Sequence, residues 1–504
     1  MSKSFSYPVW NILHLERGAR EPLQGQIFHQ LRTAITIGQI ERGARLPPSR
    51  MLAKELGIAR NTVTNIYDRL AAEGYLLHKV GAGTFVEAIL PEDYQTKGGQ
   101  QVSPRASPMA PSQRGQAILA MQVPWGRMDQ FALSPGLPAL DQFPFERFAE
   151  LSAQHWRSRT TIDLGYGEGG GLHALKEQIA LYLREARGVC CDAEQVIIVS
   201  HTLQALTLVT QVLLDSGDSA LVEDPSYIAE LANLRAAGIR PISVPIDAEG
   251  LDLSATDVTA ERARLAVATP VGQFPFGSTM SMARRQALLD WAYANDAWIF
   301  EDDVNSEIRW SGVPLPPLAS LDRRGHVIYT SSFNRVLAPG LRLGYLVVPH
   351  DLVDAFTMMQ QAFSSHVPLP LQKTVADFMA QGHLASHMRR MRAIYRERAE
   401  TLTEGLRREL GDWLEVPDVP AGLYLTAVAK EPVDDVAISN AALRLGLDVP
   451  PLSRYCVSGR VLAGFIFGFG NTPASRIPHV VRSFAALVRA GSGALPGIGS
   501  MPLR

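Results

Sequence analysis

The sequence contains few cysteines and no long apolar run. Its three cysteines comprise the adjacent pair Cys190 and Cys191 and the distant Cys456. This spacing matches neither a disulfide framework nor a set of metal ligands, so we expect small buried side chains. No uninterrupted apolar stretch approaches the roughly 20 residues that a membrane span needs, and the first residues lack the apolar segment of a signal peptide. We therefore expect a cytoplasmic protein that does not contact a membrane.

The net charge is also small, but the charges are unevenly distributed along the chain. The net charge of all 504 residues is −2. Residues 1–88 contain 11 Lys and Arg against 7 Asp and Glu, net +4, which leaves net −6 for residues 89–504. A basic N-terminal region favours a polyanionic partner for that region alone. The chain length predicts about two to four domains.

The N-terminal region has the pattern of a helix-turn-helix. Ser49 is placed to cap a short second helix and Gly57 to end it, and a third helix is predicted from Arg60 to Glu73. Only a short turn separates these two helices, and in this arrangement the N-terminal end of the later helix enters the DNA major groove. Apolar residues at helical spacing predict the first helix: Leu23, Ile27, Leu31 and Ile35.

After the third helix, residues 75–86 alternate around Gly81-Ala82-Gly83, which predicts a β-hairpin wing. The motifs LPPSR, ARNTV, LAAEGYL and GAGTFV occur in register over about 65 residues. This stretch resembles the winged-helix domain of the GntR superfamily, and we assign residues 16–87 to it. The resemblance implies double-stranded DNA as the partner.

By this resemblance, six residues fall at positions that contact DNA: Arg50, Arg60, Asn61, Thr64, Lys79 and Gly81. Their chemistry suits these roles, because arginine pairs with guanine or phosphate, asparagine with adenine, and threonine with a phosphate or a thymine methyl group. Two alternatives remain: these are solvated polar residues of a small helical domain, or the winged helix binds a protein. The basic bias and the polar recognition face favour DNA.

Residues 88–125 are rich in Pro, Gln, Ser and Gly and lack periodicity, which predicts a flexible linker. In the following residues 126–490, helical runs alternate with short apolar strands. This order predicts an α/β fold, with a mainly parallel sheet covered by helices on both faces and a small C-terminal α+β subdomain. The predicted strands are residues 195–199, 219–222, 265–268, 298–300 and 327–329.

Within this region, SSFNRVLAPGLRLGY at residues 331–345 and IFEDDVNSEIR at residues 299–309 resemble segments of fold-type I aminotransferases. Combined with the GntR-type winged helix, the whole chain resembles the MocR family of transcriptional regulators. The resemblance implies a head-to-tail homodimer and the cofactor pyridoxal 5′-phosphate. Four residues match cofactor contacts: Asp302 for the pyridine nitrogen, Tyr227 near the ring, and Ser332 and Arg342 for the phosphate.

Lysine is missing where the resemblance most requires it. Arg335 occupies the position of the lysine that forms the imine with the cofactor, and no lysine occurs between Lys176 and Lys373. An imine needs an amine that can lose its proton, whereas a guanidinium keeps its charge at physiological pH. We therefore do not expect covalent attachment. Arg335 could instead pair with an anion in the pocket.

Four further positions depart from the family pattern. Val304 replaces a tyrosine that bonds the ring hydroxyl, and His201 replaces a glycine beside the phosphate. In the segment TPVGQFPFG, Gly272 replaces a histidine and Phe276 adds bulk. These departures, together with Arg335, indicate that catalysis was lost while DNA binding was kept.

The sequence therefore predicts a dimeric, DNA-binding transcriptional regulator whose non-catalytic aminotransferase-like domain dimerises and can sense a small molecule. The alternative is a pyridoxal-phosphate-dependent aminotransferase with an appended DNA-binding domain. A third hypothesis is that the remodelled pocket binds a different effector non-covalently, as opposed to a large domain that is only structural.

Overall fold

The chain forms two compact units, Met1–Ala110 and Pro111–Arg504. Among the described residues, we find no helix that combines the length and the hydrophobicity of a membrane span. The computed structural model describes residues 9, 12–19, 21–79, 81–95, 110–121, 131–158, 161–165, 167, 169–256, 262–312, 314–363, 366–419, 421–457 and 462–491.

The first unit contains three helices and a hairpin: α1 (Leu23–Thr36), α2 (Ser49–Leu56), α3 (Arg60–Ala72), β1 (Leu76–Lys79) and β2 (Gly83–Val86). The two strands pair antiparallel. The apolar faces of the helices meet in one core, which includes the fully buried Ile27, Leu31, Val63, Ile66 and Leu70. The predicted helix-turn-helix with its wing is therefore present.

The start of α2 differs from the prediction. Ser49 is the first helical residue rather than the cap, and the preceding Pro48 makes no side-chain capping bond. Proline fixes its own backbone in an extended conformation, φ −55° and ψ 140°, so the chain turns into the helix directly after it. Gly57 ends α2 as predicted, with a left-handed φ of 64°.

Two short helices lie within the predicted linker 88–125: α4 (Pro91–Gln95) and α5 (Gln113–Ala120). Asp93 of α4 is tied to the winged helix, because Arg42 donates to it at 2.7 Å. Residues 96–109 and 122–125 of the predicted linker lie outside the described residues. The proposed domain boundaries 16–87, 88–125 and 126–490 stay predictions.

The second unit is built on an eight-stranded sheet in the order β3-β10-β9-β8-β7-β4-β5-β6. Most neighbours are parallel, while β10 runs antiparallel to β3 and β9, and β6 to β5. The prediction of a mainly parallel sheet is confirmed. Its strands are β3 (Val196–Val199), β4 (Ser219–Asp224), β5 (Arg240–Asp247), β6 (Gly250–Leu251), β7 (Leu265–Ala268), β8 (Trp298–Asp302), β9 (Val327–Ser332) and β10 (Gly344–Val347).

Helices pack against this sheet, and the last helices of the chain pack against a smaller antiparallel sheet. The smaller sheet has the order β11-β12-β13 and shares a core with the long helix α14 and the last helix α16. The elements are α6 (Phe145–Arg157), α7 (His173–Tyr182), α8 (Thr202–Leu213), α9 (Ile228–Ala237), α10 (Met282–Asn295), α11 (Leu318–Leu321), α12 (Val353–Ala362), α13 (Leu369–Ala380), α14 (His383–Leu410), β11 (Leu414–Glu415), β12 (Tyr424–Ala429), α15 (Asp435–Arg444), β13 (Gly464–Gly468) and α16 (Ile477–Gly491).

Candidate functional site

The N-terminal end of α3 presents polar side chains to solvent. Arg60 and Asn61 are its first two residues and both are exposed. Thr64 lies one turn later and is half-buried, and its hydroxyl donates to the Arg60 carbonyl at 3.2 Å. The hydroxyl of Thr64 is therefore engaged within its own helix, while its methyl group needs no partner.

The other three predicted residues lie on α2 and the wing. Arg50 is exposed in the first turn of α2. Lys79 ends β1, with its ammonium 5.2 Å from the ring centre of Phe85 on the facing strand. Gly81, at the tip of the hairpin, has φ 76°. All six predicted residues are therefore at helix starts or on the wing, although Thr64 is only half-exposed.

The arginines of the first unit divide into two groups. Arg32 donates to the Tyr75 hydroxyl at 3.0 Å, and Arg69 forms an ion pair with Glu73 at 3.0 Å. Within the described residues, by contrast, no ion pair is found for Arg45, Arg50 or Arg60, and all three are exposed. The guanidinium of Arg45 packs on Gly83 of the wing. A Cβ added to Gly83 would lie only 2.9 Å from the Arg45 Nε. No motif in the local sequence singles out Arg45.

The second unit contains a cavity of about 380 Å³ at the carboxyl ends of its parallel strands. Loops after these strands are where open α/β sheets bind ligands. Asp302 ends β8 and Ser332 ends β9, while Tyr227 immediately precedes α9. The four residues that match cofactor contacts line this cavity, as does Arg335 at the position of the missing lysine: Tyr227, Asp302, Ser332, Arg342 and Arg335.

Asp302 is a buried carboxyl with an open hydrogen-bonding position. It is 6% exposed, and its Oδ1 has no partner within the described part of the chain. Burial raises the pKa of Asp302 to about 7, although the Arg335 charge and a bond from Thr202 act in the opposite direction. Asp302 can therefore accept a hydrogen bond from a ligand, most strongly from a cationic donor.

Arg335 reaches the same cavity and packs on backbone. Its guanidinium lies so close to Gly136 that an added Cβ there would overlap it, and Gly136 has a left-handed φ of 83°. The Nη1 atom is buried and has no partner among the described residues. No lysine is found among the residues that line the cavity. This part of the cavity thus offers a fixed cation and no amine.

The N-terminus of α8 forms another wall. His201 is its N-cap, and its Nδ1 accepts from the backbone N–H of Gln204 at 3.3 Å. Gln204 Oε1 in turn accepts from the Ser200 N–H at 2.6 Å. Burial lowers the pKa of His201 to about 4, and Arg342 adds to this, so the imidazole is neutral near pH 7. The histidine that replaces a glycine therefore caps the helix.

Gly272 and Asn305 depend on each other. The Asn305 amide donates to the Gly272 carbonyl at 2.8 Å, and Tyr424 donates to the same oxygen at 2.7 Å. A Cβ on Gly272 would be 2.8 Å from the Asn305 Cβ, and the φ of 67° also disfavours a side chain. The replacement of histidine by Gly272 leaves the space that Asn305 occupies.

Other residues that line the cavity come from distant segments of the chain, so the sequence motifs did not predict them. Glu223 lies on β4 and Glu230 on α9, and both are buried. Burial raises the pKa of Glu223 to about 8 and that of Glu230 well above its usual value. Ser439 belongs to α15 of the smaller subdomain and is 4% exposed. No local sequence pattern brings these three residues together.

Comparison with known proteins agrees with both units. Residues 23–86 match the family model "Bacterial regulatory proteins, gntR family", and residues 129–451 match "Aminotransferase class I and II". The chain is 38% identical over 487 residues to a probable rhizopine catabolism regulatory protein MocR of Rhizobium meliloti, with 96% of this chain and 98% of that protein covered. The chain belongs to the MocR family of GntR-type regulators.

Other MocR-family relatives and aminotransferases give the same picture. The pyridoxine biosynthesis regulator PdxR of Corynebacterium glutamicum is 30% identical, covering 92% of this chain and 96% of that protein. The α-aminoadipate aminotransferase LysN of Thermus thermophilus, solved with N-(5′-phosphopyridoxyl)-L-leucine, superposes with a TM-score of 0.66 at 25% identity. This match covers 75% of the present chain and 95% of LysN. The MocR-family chain thus combines a GntR winged helix with an aminotransferase fold.

Proposed function

We propose that this MocR-family protein is a DNA-binding transcriptional regulator whose large domain does not catalyse transamination and responds to a small molecule. The observation that carries the proposal is a contrast within the described residues. The winged helix has exposed cations without an ion pair, whereas the cavity lining has no lysine. Arg60 is free to contact DNA, whereas Arg335 cannot form an imine. We place this regulator in the cytoplasm, where bacterial DNA lies.

In this proposal the N-terminal end of α3 enters the major groove. Arg60 and Asn61 contact base edges, while the Thr64 methyl group packs on a base because its hydroxyl is already engaged. Arg50, Lys79 and the tightly turned Gly81 contact the phosphate backbone, which fixes the position of the domain without reading sequence. Arg45 joins them at the base of the wing.

The large domain supplies a homodimer in this proposal. A protein with twofold symmetry contacts two DNA half-sites, and the spacing of the half-sites mirrors that symmetry. The family resemblance favours a head-to-tail arrangement. Light scattering after size-exclusion chromatography tests this directly, since the expected mass is twice the 55.0 kDa of one chain.

Pyridoxal 5′-phosphate is the cofactor that the aminotransferase fold implies, and the cavity suits only its non-covalent contacts. The unpartnered Asp302 Oδ1 would accept from the protonated ring nitrogen, and Ser332 and Arg342 would hold the phosphate. When bound through an imine, this cofactor withdraws electrons from the substrate. The described residues of the cavity lining include no lysine for that bond, so we expect the cofactor to bind reversibly here.

DNA binding is tested by electrophoretic mobility shift with the DNA upstream of the protein's own gene. We expect sequence-preferring, salt-sensitive binding, and about a 5- to 150-fold loss of affinity for Arg60→Ala, as expected for a lost base contact. The matched control is Arg69→Ala on the same helix, where the arginine already pairs with Glu73. Equal losses for both variants, or no preference over unrelated DNA, would refute the DNA-binding role.

Loss of catalysis is tested by the absorbance of purified protein with and without pyridoxal phosphate. We expect no imine band in the native protein and no cofactor fixed by borohydride after dialysis. Arg335→Lys is the informative variant, because it returns an amine to the cavity. A native protein with a stable imine band and transaminase turnover would support the alternative of an aminotransferase with a DNA-binding domain.

A further inference from the structure

The side of α3 that we expect to face DNA also carries an acid. Arg60, Asn61 and Thr64 occupy one arc of this helix. At about 100° per residue, Asp68 falls within the same arc, about 12 Å along the axis from Arg60. The side chain of Asp68 is 63% exposed. DNA carries a dense row of negative phosphates, so a carboxylate at this position repels it unless a cation neutralises the charge.

His78 of the wing pairs with this acid. Its Nε2 lies 3.3 Å from Asp68 Oδ1, and its Nδ1 lies 3.0 Å from the hydroxyl of Thr84, its cross-strand neighbour. One imidazole thus connects α3 to both strands of the wing. The neutral ring donates to the carboxylate through Nε2 and accepts from the hydroxyl, whereas the protonated ring donates to both, because the hydroxyl can rotate. The contacts therefore persist when His78 gains a proton, and only the charge changes.

The ion pair of His78 and Asp68 is not needed to hold the domain together. Both side chains are exposed, and an exposed ion pair contributes little to folding. The base of the hairpin is held by Leu76 and Val86, which pair across the strands on the same face as His78 and are buried in the core. The place of the ion pair, between α3 and the wing, therefore indicates a role in DNA binding.

Few other charges surround this pair. Within the described residues, His78 and Asp68 form an ion pair with each other and with no further group. On α3, Arg69 is already paired with Glu73 at 3.0 Å. On the wing, Lys79 lies on the opposite face of its strand, because successive side chains of a strand alternate. The charge of His78 therefore decides whether the carboxylate of Asp68 is neutralised.

We infer that His78 is a positioning residue for DNA binding whose protonation raises the affinity: the imidazolium ties the wing to α3 and neutralises Asp68 beside the DNA backbone. This inference rests on the proposed function and adds a regulator to it, the pH. Histidine is the side chain that ordinarily changes charge between about pH 5 and pH 8. Because the phosphates favour the protonated ring, DNA binding takes up a proton, and the affinity falls as the pH rises.

The test is fluorescence anisotropy of the full-length protein with labelled DNA from upstream of its own gene, at about pH 6 and about pH 8 and at fixed ionic strength. We expect the native affinity to fall by about three- to tenfold, since one proton changes an affinity by at most about tenfold per pH unit. His78→Gln keeps a neutral donor for Asp68 and should bind at both pH values as the native protein does at the higher one. His29→Gln is the matched control and should keep the native pH profile, because His29 also pairs with an acid, Glu21 at 3.5 Å, but on α1.

Asp68→Asn separates the charge from the contact. Asparagine keeps an acceptor for His78 and removes the negative charge, so at about pH 8 this variant should bind DNA about two- to fivefold more tightly than the native protein. A loss of affinity would mean that the carboxylate itself contacts a base, as aspartate can with cytosine, and would overturn the inference. A His78→Gln variant that keeps the native pH profile would also overturn it. If the native protein shows no preference for its upstream DNA at either pH, the proposed DNA-binding role is itself refuted.

Discussion

The functional groups of the winged helix are exposed to solvent, whereas those in the cavity of the large unit are buried. On the winged helix, Arg45, Arg50 and Arg60 are exposed, and within the described residues they have no ion pair. In the cavity, Asp302 and Asn305 are buried and still have an atom without a partner. An exposed cation is hydrated at little cost, whereas a buried polar atom without a hydrogen-bonding partner is costly. The first surface suits a phosphate backbone, and the second suits a small molecule.

This contrast explains what the sequence could predict. The polar residues at the start of α3 are consecutive, so the helical period and the turn locate them without any tertiary information. Asn305 and Ser439 belong to different subdomains, and only folding brings them to one cavity. The predicted strands 298–300 and 327–329 were too short. In the structure, β8 and β9 continue to the cavity residues Asp302 and Ser332. Strands that are predicted from runs of apolar residues end too early when the last residues of the strand are polar.

The largest expected effect concerns the buried carboxyls. The pKa of Glu223 is about 8 in the folded chain because of burial, whereas an unfolded glutamate titrates near 4.5. The folded protein therefore binds more protons than the unfolded chain between these values, so stability is fully present below about pH 4.5 and falls as the pH rises through about 8. Glu223→Gln should remove part of this fall, on the order of a few kcal/mol.

The measurement is the free energy of unfolding of the large unit by urea, followed from about pH 5 to about pH 8. Glutamine keeps the acceptor for the Thr269 N–H, which bonds Glu223 at 3.1 Å, so the variant should fold. Glu194→Gln, at an exposed glutamate of the same unit, is the control and should keep the native slope. If the unfolding free energy of Glu223→Gln fell with pH as steeply as that of the native protein, the carboxyl of Glu223 would not be a buried, protonated group.

A smaller effect tests whether Gly272 and Asn305, which lie together in the cavity, depend on each other. Gly272 and Gly277 have similar backbone angles, φ 67° and 73°, but only Gly272 lies against Asn305. Gly277→Ala should cost about 1–2 kcal/mol for the left-handed backbone alone. Gly272→Ala should cost this and about 1–3 kcal/mol more for overlap with Asn305. Denaturant unfolding measures both. In an Asn305→Gly background, which lacks the Cβ that the new methyl group would meet at 2.8 Å, Gly272→Ala should cost no more than Gly277→Ala. Equal costs for the two single variants would show that the residues are independent.

The smallest effect returns to the DNA-binding surface and asks which part of Thr64 matters. Its hydroxyl donates to the Arg60 carbonyl at 3.2 Å, so Thr64→Val removes a bond within the helix and keeps the methyl group. We expect Thr64→Val to change DNA affinity by less than about threefold, and Thr64→Ser, which removes the methyl group, to change it more. Mobility shift at fixed salt compares the two. A larger loss for valine would mean that the hydroxyl leaves Arg60 to contact a phosphate, and even an exposed helix start would then rearrange on binding.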